Sequence, residues 1–248
     1  MSAELPIIIP DWPVPDFVKS ISTRRTGGVS KAPFNSFNVA HHVGDNRESV
    51  IHNRAILRRD WLLPDEPHWL NQTHSTSVLE LTDKTKDKNA DASWTEQRDT
   101  ICVVMTADCL PLLVYDAAQK RVAAIHAGWR GLANGIIEIT LDAMEAVPEQ
   151  TSIWLGPAIG PSAFEVGSEV RDVFIELNSE STQSFTPIDE QDKYLADIYQ
   201  LARLRLNNYG IDSVYGGNCC TVSDHDRFFS YRRDGQTGRM ATLIWLSE

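Results

Sequence analysis

The stretch "TADCLPLLVYDAAQKRVAAIHAGWRG", residues 106–131, holds two apolar runs joined by a short polar link. Leu110 to Tyr115 and Arg121 to Ala127 read as strands, and the link "DAAQK" makes them a hairpin. With an even-numbered turn centred between Ala117 and Ala118, Asp116 faces Gln119 and Val114 faces Arg121. Cys109 then faces His126. Cross-strand neighbours share a face and lie about 4.5–5.5 Å apart at Cβ, which suits two ligands of one metal ion. An odd-numbered turn or a bulge changes that register. Taken singly, the two residues are a small core hydrophobe and a structural imidazole.

Working outward, further strand candidates are "TICVVMT", "SIWLG", "SVYGG", "FFSYRR" and "ATLIWL". Four helices are expected between them. "DNRESVIHNRAILRRDWL" opens with Asp45 as N-cap and Glu48 three residues on. "GLANGIIEITLDAMEAV" groups Ile136, Ile139, Ala143, Met144 and Val147 on one face. "GSEVRDVFIEL" groups Val170, Val173, Phe174 and Leu177. "DKYLADIYQLARLRLNNYG" aligns Leu195, Ile198, Tyr199, Ala202 and Leu206, and stops at Gly210. Some strands connect too tightly for parallel crossovers, which favours a mixed-sheet α+β domain. The polar stretches 81–99 and 178–193 read as surface loops.

The chain has 248 residues, of which 42% are hydrophobic, enough for one packed domain. No run of 18 apolar residues suggests a membrane span. The start "MSAELPIIIPDWPVPDF" lacks a basic region before its apolar run, so a signal peptide is not expected and the cytoplasm is the default location. The net charge of -11 argues against nucleic-acid binding. It leaves room for a phosphorylated small molecule at a local basic site. The four cysteines, Cys102, Cys109, Cys219 and Cys220, form no C-x-x-C pair and suggest no disulfide framework. No feature of the sequence specifies an oligomeric state.

After His126 comes "AGWRGLANG", a glycine-rich turn entering a helix. Free N–H groups there, with Arg130, make a candidate anion site. A catalytic zinc site needs a third ligand. His52 falls in a helix, His68 and His225 in polar loops, and His74 between two β-like stretches. His74 is not ranked above His41 or His42 on these grounds alone.

The sequence resembles the YfiH-like family, also called the laccase-domain or purine nucleoside phosphorylase-like family. The matching stretches are "RTGGVS" (25–30), "NSFNVAHHVGDN" (35–46), "NQTH" ending at His74, "MTADCLPLLVYD", "AAIHAGWRGL", "WLGPAIGPSAFEVG" and "FFSYRRDGQTGRM". They span essentially the whole chain, 1–248, and are closest to enterobacterial-type members, one of them known as a peptidoglycan editing factor. The resemblance implies a single α+β domain of two mixed sheets packed between helical layers. It implies a metal site of His74, Cys109 and His126, holding Zn²⁺ or copper. Two departures stand near these motifs: Arg24 where Thr is usual, and Ser75 where Gly or a small residue commonly follows the first histidine.

The implied chemistry is phosphorolysis of adenosine, inosine, guanosine and methylthioadenosine, and deamination of adenosine. Its substrates are small nucleosides and phosphate. Arg25, Arg130, Asn38 and Arg233 are the substrate or phosphate candidates, with Arg25 and Arg130 ahead of the C-terminal cluster of Arg232, Arg233 and Arg239. Asp108 is the guess for a proton carrier, though an ideal strand would point it away from Cys109. The zinc deaminase signature H-x-E with P-C-x-x-C is missing. Three alternatives use the same residues. Cys109 with His126 as base could serve a hydrolase editing UDP-muramoyl amino acid precursors. One copper could serve a laccase-like polyphenol oxidase. A closed metal site would suit a non-catalytic binding module. A multicopper centre is disfavoured, because the chain has seven histidines and no His-x-His pair.

Overall fold

In the computed structural model, which describes residues 7–188 and 192–248, the chain builds two large mixed sheets. The first runs β1 (Ile7–Ile8), β2 (Val18–Thr23), β14 (Met240–Leu246), β6 (Cys102–Thr106) and β3 (His68–Trp69). Its pairs are antiparallel except β3 with β6. The second runs β13 (Val214–Gly216), β9 (Thr151–Leu155), β7 (Leu110–Asp116), β8 (Arg121–Ala127), β5 (Ala92–Thr95) and β4 (Val78–Glu80). It is antiparallel in the middle and parallel at both edges. A small third sheet, β10 (Glu165–Gly167), β12 (Lys193–Ala196) and β11 (Phe185–Pro187), was not expected.

Side-chain alternation assigns each strand's two faces to two different layers. Leu113, Tyr115, Val122, Ala124 and Trp154 of the second sheet pack against Cys102, Val104, Ile244 and Leu246 of the first. The opposite face of the second sheet, with Leu112, Val114 and Ile125, meets α2 (Trp129–Ala133), α3 (Ile136–Ala143), α4 (Ser168–Leu177) and α5 (Ile198–Tyr209). The outer face of the first sheet, with Ile21, Val103 and Leu243, meets Leu57 of α1 (Arg47–Asp60). The result is the helix–sheet–sheet–helix order that the resemblance implies. Strands β6, β7 and β8 lie between sheet and cover, which is why they read as near-continuous apolar runs.

Several local expectations are corrected. The hairpin has a four-residue connection, with Asp116 opposite Arg121 and Pro111 opposite His126. This register lies two residues from the expected one, so Cys109 falls diagonal to His126. A shift of two preserves the face; a shift of one would have reversed it. Stretch 81–99 contains β5, buried throughout, and Thr95 Oγ1 finds a partner inside by donating to the Leu81 carbonyl at 2.8 Å. Stretch 178–193 contains a 3-10 helix (Ser179–Ser184) and β11, while 189–191 lie outside the described residues.

Asn46, not Asp45, caps α1, accepting from the N–H groups of Glu48 and Ser49. The expected helix after Gly131 breaks at Gly135, whose φ of 89° ends α2 and rephases α3. Ile137, Thr140 and Leu141 are therefore buried, and Ile139 is exposed. Val173 and Leu177 of α4 are exposed as well. Leu195 belongs to β12, and Asp197 starts α5 by accepting from Tyr199 and Gln200. "FFSYRR" is no strand: it is a loop entering the short helix α6 (Tyr231–Asp234), capped by Ser230. His68 sits on β3, its Nε2 2.7 Å from the Asp87 carbonyl.

Candidate metal centre

Two connections carry the chain from the first sheet to the second, and each delivers one side chain to the same point. Ala107–Cys109 links β6 to β7, and residues 70–77 link β3 to β4. The first brings Cys109 and the second His74. His126 comes from β8 itself. Their ligand atoms all lie within 4.8 Å of one another, and among the described residues no other group of three His, Cys, Asp or Glu does so. His74 is exposed, Cys109 half-buried and His126 buried, so the cluster opens at His74.

Each member is positioned by contacts made elsewhere. Asp108 has a φ of 95°, a left-handed backbone that Asp tolerates better than most residues. Its carboxylate accepts Thr221 Oγ1 at 2.5 Å and the Arg232 N–H at 2.6 Å. Its carbonyl accepts the Ile159 N–H at 2.9 Å. Asp108 is thus the clamp of the Cys109 turn, with both oxygens engaged, and not a free proton carrier.

His74, with a φ of 61°, is also left-handed. The compensation is Asp91, fully buried, whose carboxylate accepts three successive N–H groups: Thr73 at 3.1 Å, His74 at 3.0 Å and Ser75 at 2.7 Å. Ser75 Oγ adds a fourth bond at 2.7 Å, a use for the departure noted in the sequence. Asp91 Oδ1 also lies 2.8 Å from His126 Nδ1. A carboxylate only accepts, so Nδ1 carries the proton and Nε2 is left for Cys109 and the open centre. Asp91 was missed in the sequence because it lies in a stretch that reads as polar loop; no local periodicity marks it.

Electrostatics follow from this packing. Burial opposes ionisation of Cys109, but the flanking His126 and His74 rings outweigh it and hold the thiol down at about 6. Burial likewise opposes the charged form of His126, yet Cys109 and Asp91 push it up to about 9. Asp91 is depressed well below the carboxylate range: burial works the other way, but the bonds from His126 and Ser75 prevail.

The donor set fits a tetrahedral ion. Zinc at usual Zn–N and Zn–S lengths separates a nitrogen and a sulfur ligand by about 3.6 Å. Cys109 Sγ and His74 Nε2 are 3.6 Å apart. The rings of His74 and His126 stand edge to face, 4.9 Å between centroids. Gly128 makes room: a Cβ there would come within 2.6 Å of the His74 ring and 3.1 Å of Cys109 Sγ. Three donors with an outer carboxylate on one histidine make the pattern of an open metal site.

Two cavities meet at the cluster, and both are lined by His74, Ala107, Cys109 and Tyr231. One, about 290 Å³, adds apolar and aromatic walls from Trp129, Ile159, Phe164 and Ile198, with Arg130 and Arg232. The other, about 370 Å³, is more polar, with His42, Gln72, Thr106 and Arg239. Of the basic candidates, the structure brings Arg130 here, stacked 4.3 Å over Trp129. It does not bring Arg25, Asn38 or Arg233. Arg25 donates to the carbonyls of Asn35 and His225, and Arg233 to those of Thr221, Val222 and Phe228. Both line a separate surface cavity. Asn38 is buried and spends its amide on Ala40, Asp45 and Arg239. Arg232 and Arg239, ranked behind Arg25 from the sequence, join Arg130 at the centre.

The chain matches a family model described as multi-copper polyphenol oxidoreductase laccase over residues 19–247. It is 50% identical over 241 residues to "Purine nucleoside phosphorylase YfiH" of Shigella flexneri, covering 97% of this chain and 98% of that one. It is 48% identical over 241 residues to a purine nucleoside phosphorylase of Pseudomonas aeruginosa, with the same coverage of 97% and 98%. A crystal structure of a Neisseria meningitidis protein superposes with a TM-score of 0.94 at 48% identity, covering 98% of this chain and 100% of that one. The crystal structure of YlmD from Geobacillus stearothermophilus superposes at 0.91 with 28% identity, covering 100% and 98%.

Proposed function

We propose that this chain, which belongs to the multi-copper polyphenol oxidoreductase laccase family, is a metal-dependent purine nucleoside phosphorylase. Relatives at 48–50% identity carry the name purine nucleoside phosphorylase. The observation that carries the reading is the His74–Cys109–His126 cluster standing where an aromatic cavity and a polar cavity meet. Phosphorolysis needs the nucleoside and inorganic phosphate side by side, and basic side chains line both cavities.

His74 Nε2, Cys109 Sγ and His126 Nε2 would hold the ion, with Zn²⁺ favoured by the donor set and Cu²⁺ the alternative. A bound ion there supplies Lewis acidity with an open coordination position. Asp91 fixes the His126 tautomer and the His74 backbone. Trp129 and Phe164 offer apolar surface to a purine, and Arg130, Arg232 and Arg239 offer charge to phosphate. Adenosine, inosine, guanosine and methylthioadenosine are the substrates of this reading. Deamination of adenosine has less support, because Asp108, its candidate proton carrier, has both oxygens engaged.

A specific observation favours a second reading. A lowered Cys109 thiol beside a raised His126, oriented in turn by Asp91, is also the arrangement of a thiol hydrolase. A UDP-muramoyl amino acid precursor is its substrate. A multicopper oxidase is not supported: among the described residues there is one donor cluster.

The test is metal analysis of protein purified without added metal, followed by incubation with adenosine and phosphate. Close to one zinc per chain, with free adenine and ribose 1-phosphate formed only when phosphate is present, supports the phosphorylase. Metal-free protein that leaves adenosine unchanged and cleaves the muramoyl precursor supports the thiol hydrolase instead.

A further inference from the structure

Outside the described centre, Cys219 and Cys220 line a cavity of about 350 Å³ with Gly160, Asp197, Tyr199, Arg203 and Asn218. The two neighbours are built differently. Cys220 Sγ accepts the Gly160 N–H at 3.3 Å. Partial burial disfavours its thiolate, but hydrogen bonds from the side chain and backbone of Ser223, and from the Gly160 and Val222 backbone, outweigh it and lower the thiol. Cys219 goes the other way. Burial raises it, with Arg227 and Arg24 opposing and Asp224 adding to the rise, and its S–H points to Asn218 Oδ1 at 3.7 Å.

The backbone is fixed around this pair. The Thr221 N–H donates to the Ala158 carbonyl at 3.0 Å, and Tyr199 OH lies 2.8 Å from the Cys219 carbonyl. A Cβ at Gly160 would come within 2.9 Å of Cys220 Cβ and 3.1 Å of its Sγ. Only glycine therefore lets the Gly160 amide reach the sulfur. The arrangement stabilises a thiolate at one cysteine of an adjacent pair and leaves a cavity in front of it.

We propose that Cys220 is a second reactive thiol site, one that takes up small disulfides as a mixed disulfide while Cys219 stays reduced. The thiolate of Cys220 forms a bond to one sulfur of a low-molecular-weight disulfide. The S–S bond of that reagent breaks, and its other sulfur leaves as a thiolate that takes a proton from water. Cys220 is oxidised and the reagent reduced, with no further reactant. The adduct occupies the cavity beside Asn218. Through Thr221, whose Oγ1 donates to Asp108, the site adjoins the turn that carries Cys109.

The experiment incubates the full chain with oxidised glutathione at pH 7 and reads each cysteine by fragmentation mass spectrometry. Thiolate fraction and access control the rate, so Cys220 should react about tenfold faster than Cys219 and Cys102. Replacing the exposed Ser223 by alanine removes one donor without touching the core, and should slow Cys220 about threefold. In Cys219→Ser the adduct persists, and in Cys220→Ser it is lost from this segment. Reaction at Cys219 as fast as at Cys220, or a rate at Cys220 indifferent to Ser223→Ala, overturns the assignment.

Discussion

Oδ1 of Asp91 lies 2.8 Å from Nδ1 of His126, and the same oxygen accepts the backbone N–H of His74 at 3.0 Å. One buried atom thereby orients two of the three donors of the candidate centre, one carried by strand β8 and the other by the 70–77 connection. Asp91→Asn keeps the volume but replaces one acceptor oxygen by an NH₂. Loss of such an outer partner typically costs metal sites about 10–100-fold in affinity. Titration against a chelator of known strength should show a drop of that order, and an unchanged affinity would remove Asp91 from the site.

Gly128 is needed for space, since its φ of -68° is open to any residue. Gly128→Ala would push the new Cβ against the His74 ring. Zinc affinity should fall about tenfold or more, while the thermal midpoint of the metal-free protein moves little. Retention of full affinity would mean that His74 is free to swing away and still bind.

In metal-free protein the Cys109 thiol is held down at about 6, where a free cysteine sits near 8.5. The sign is direct: the thiolate predominates above the lowered value and is lost as pH falls through it. Alkylation of Cys109 by iodoacetamide should rise to half its maximum near pH 6. Stoichiometric zinc should suppress the reaction. A midpoint near 8.5 would show that His126 and His74 do not stabilise the thiolate.

The arginines divide by location. Arg130 lines the aromatic cavity at the cluster, while Arg25 and Arg233 line another. Arg130→Ala should raise the KM for phosphate about tenfold, as expected for loss of a charge-assisted contact. Arg25→Ala should leave it nearly unchanged. Steady-state kinetics with phosphate varied at saturating inosine separates the two.

Leu113 is fully buried where the two sheets meet. Leu113→Ala removes packing from both at once and should cost about 2–5 kcal/mol. Urea unfolding with an unchanged m-value would report it, and a loss below about 1 kcal/mol would mean that the interface relaxes around the gap.

The sequence was informative wherever burial imposes a short repeat. The runs that became β6, β7, β8, β9 and β14 are apolar because they lie between two layers, and that composition is visible without coordinates. Side-chain alternation with a period of two was enough to set Cys109 and His126 on one face, even though the hairpin register proved two residues away. The family motifs then pointed to His74. What the sequence could not supply is Asp91, the left-handed turns at His74 and Asp108, and the choice among the arginines. Each depends on partners far along the chain: Asp91 on a ring 35 residues away, Asp108 on Thr221, 113 residues away. A polar residue buried by such bonds leaves no trace in local hydropathy. Only the docking of the two sheets brings its partners to it, and so only the tertiary structure could decide which polar residues hold the centre and which merely face water.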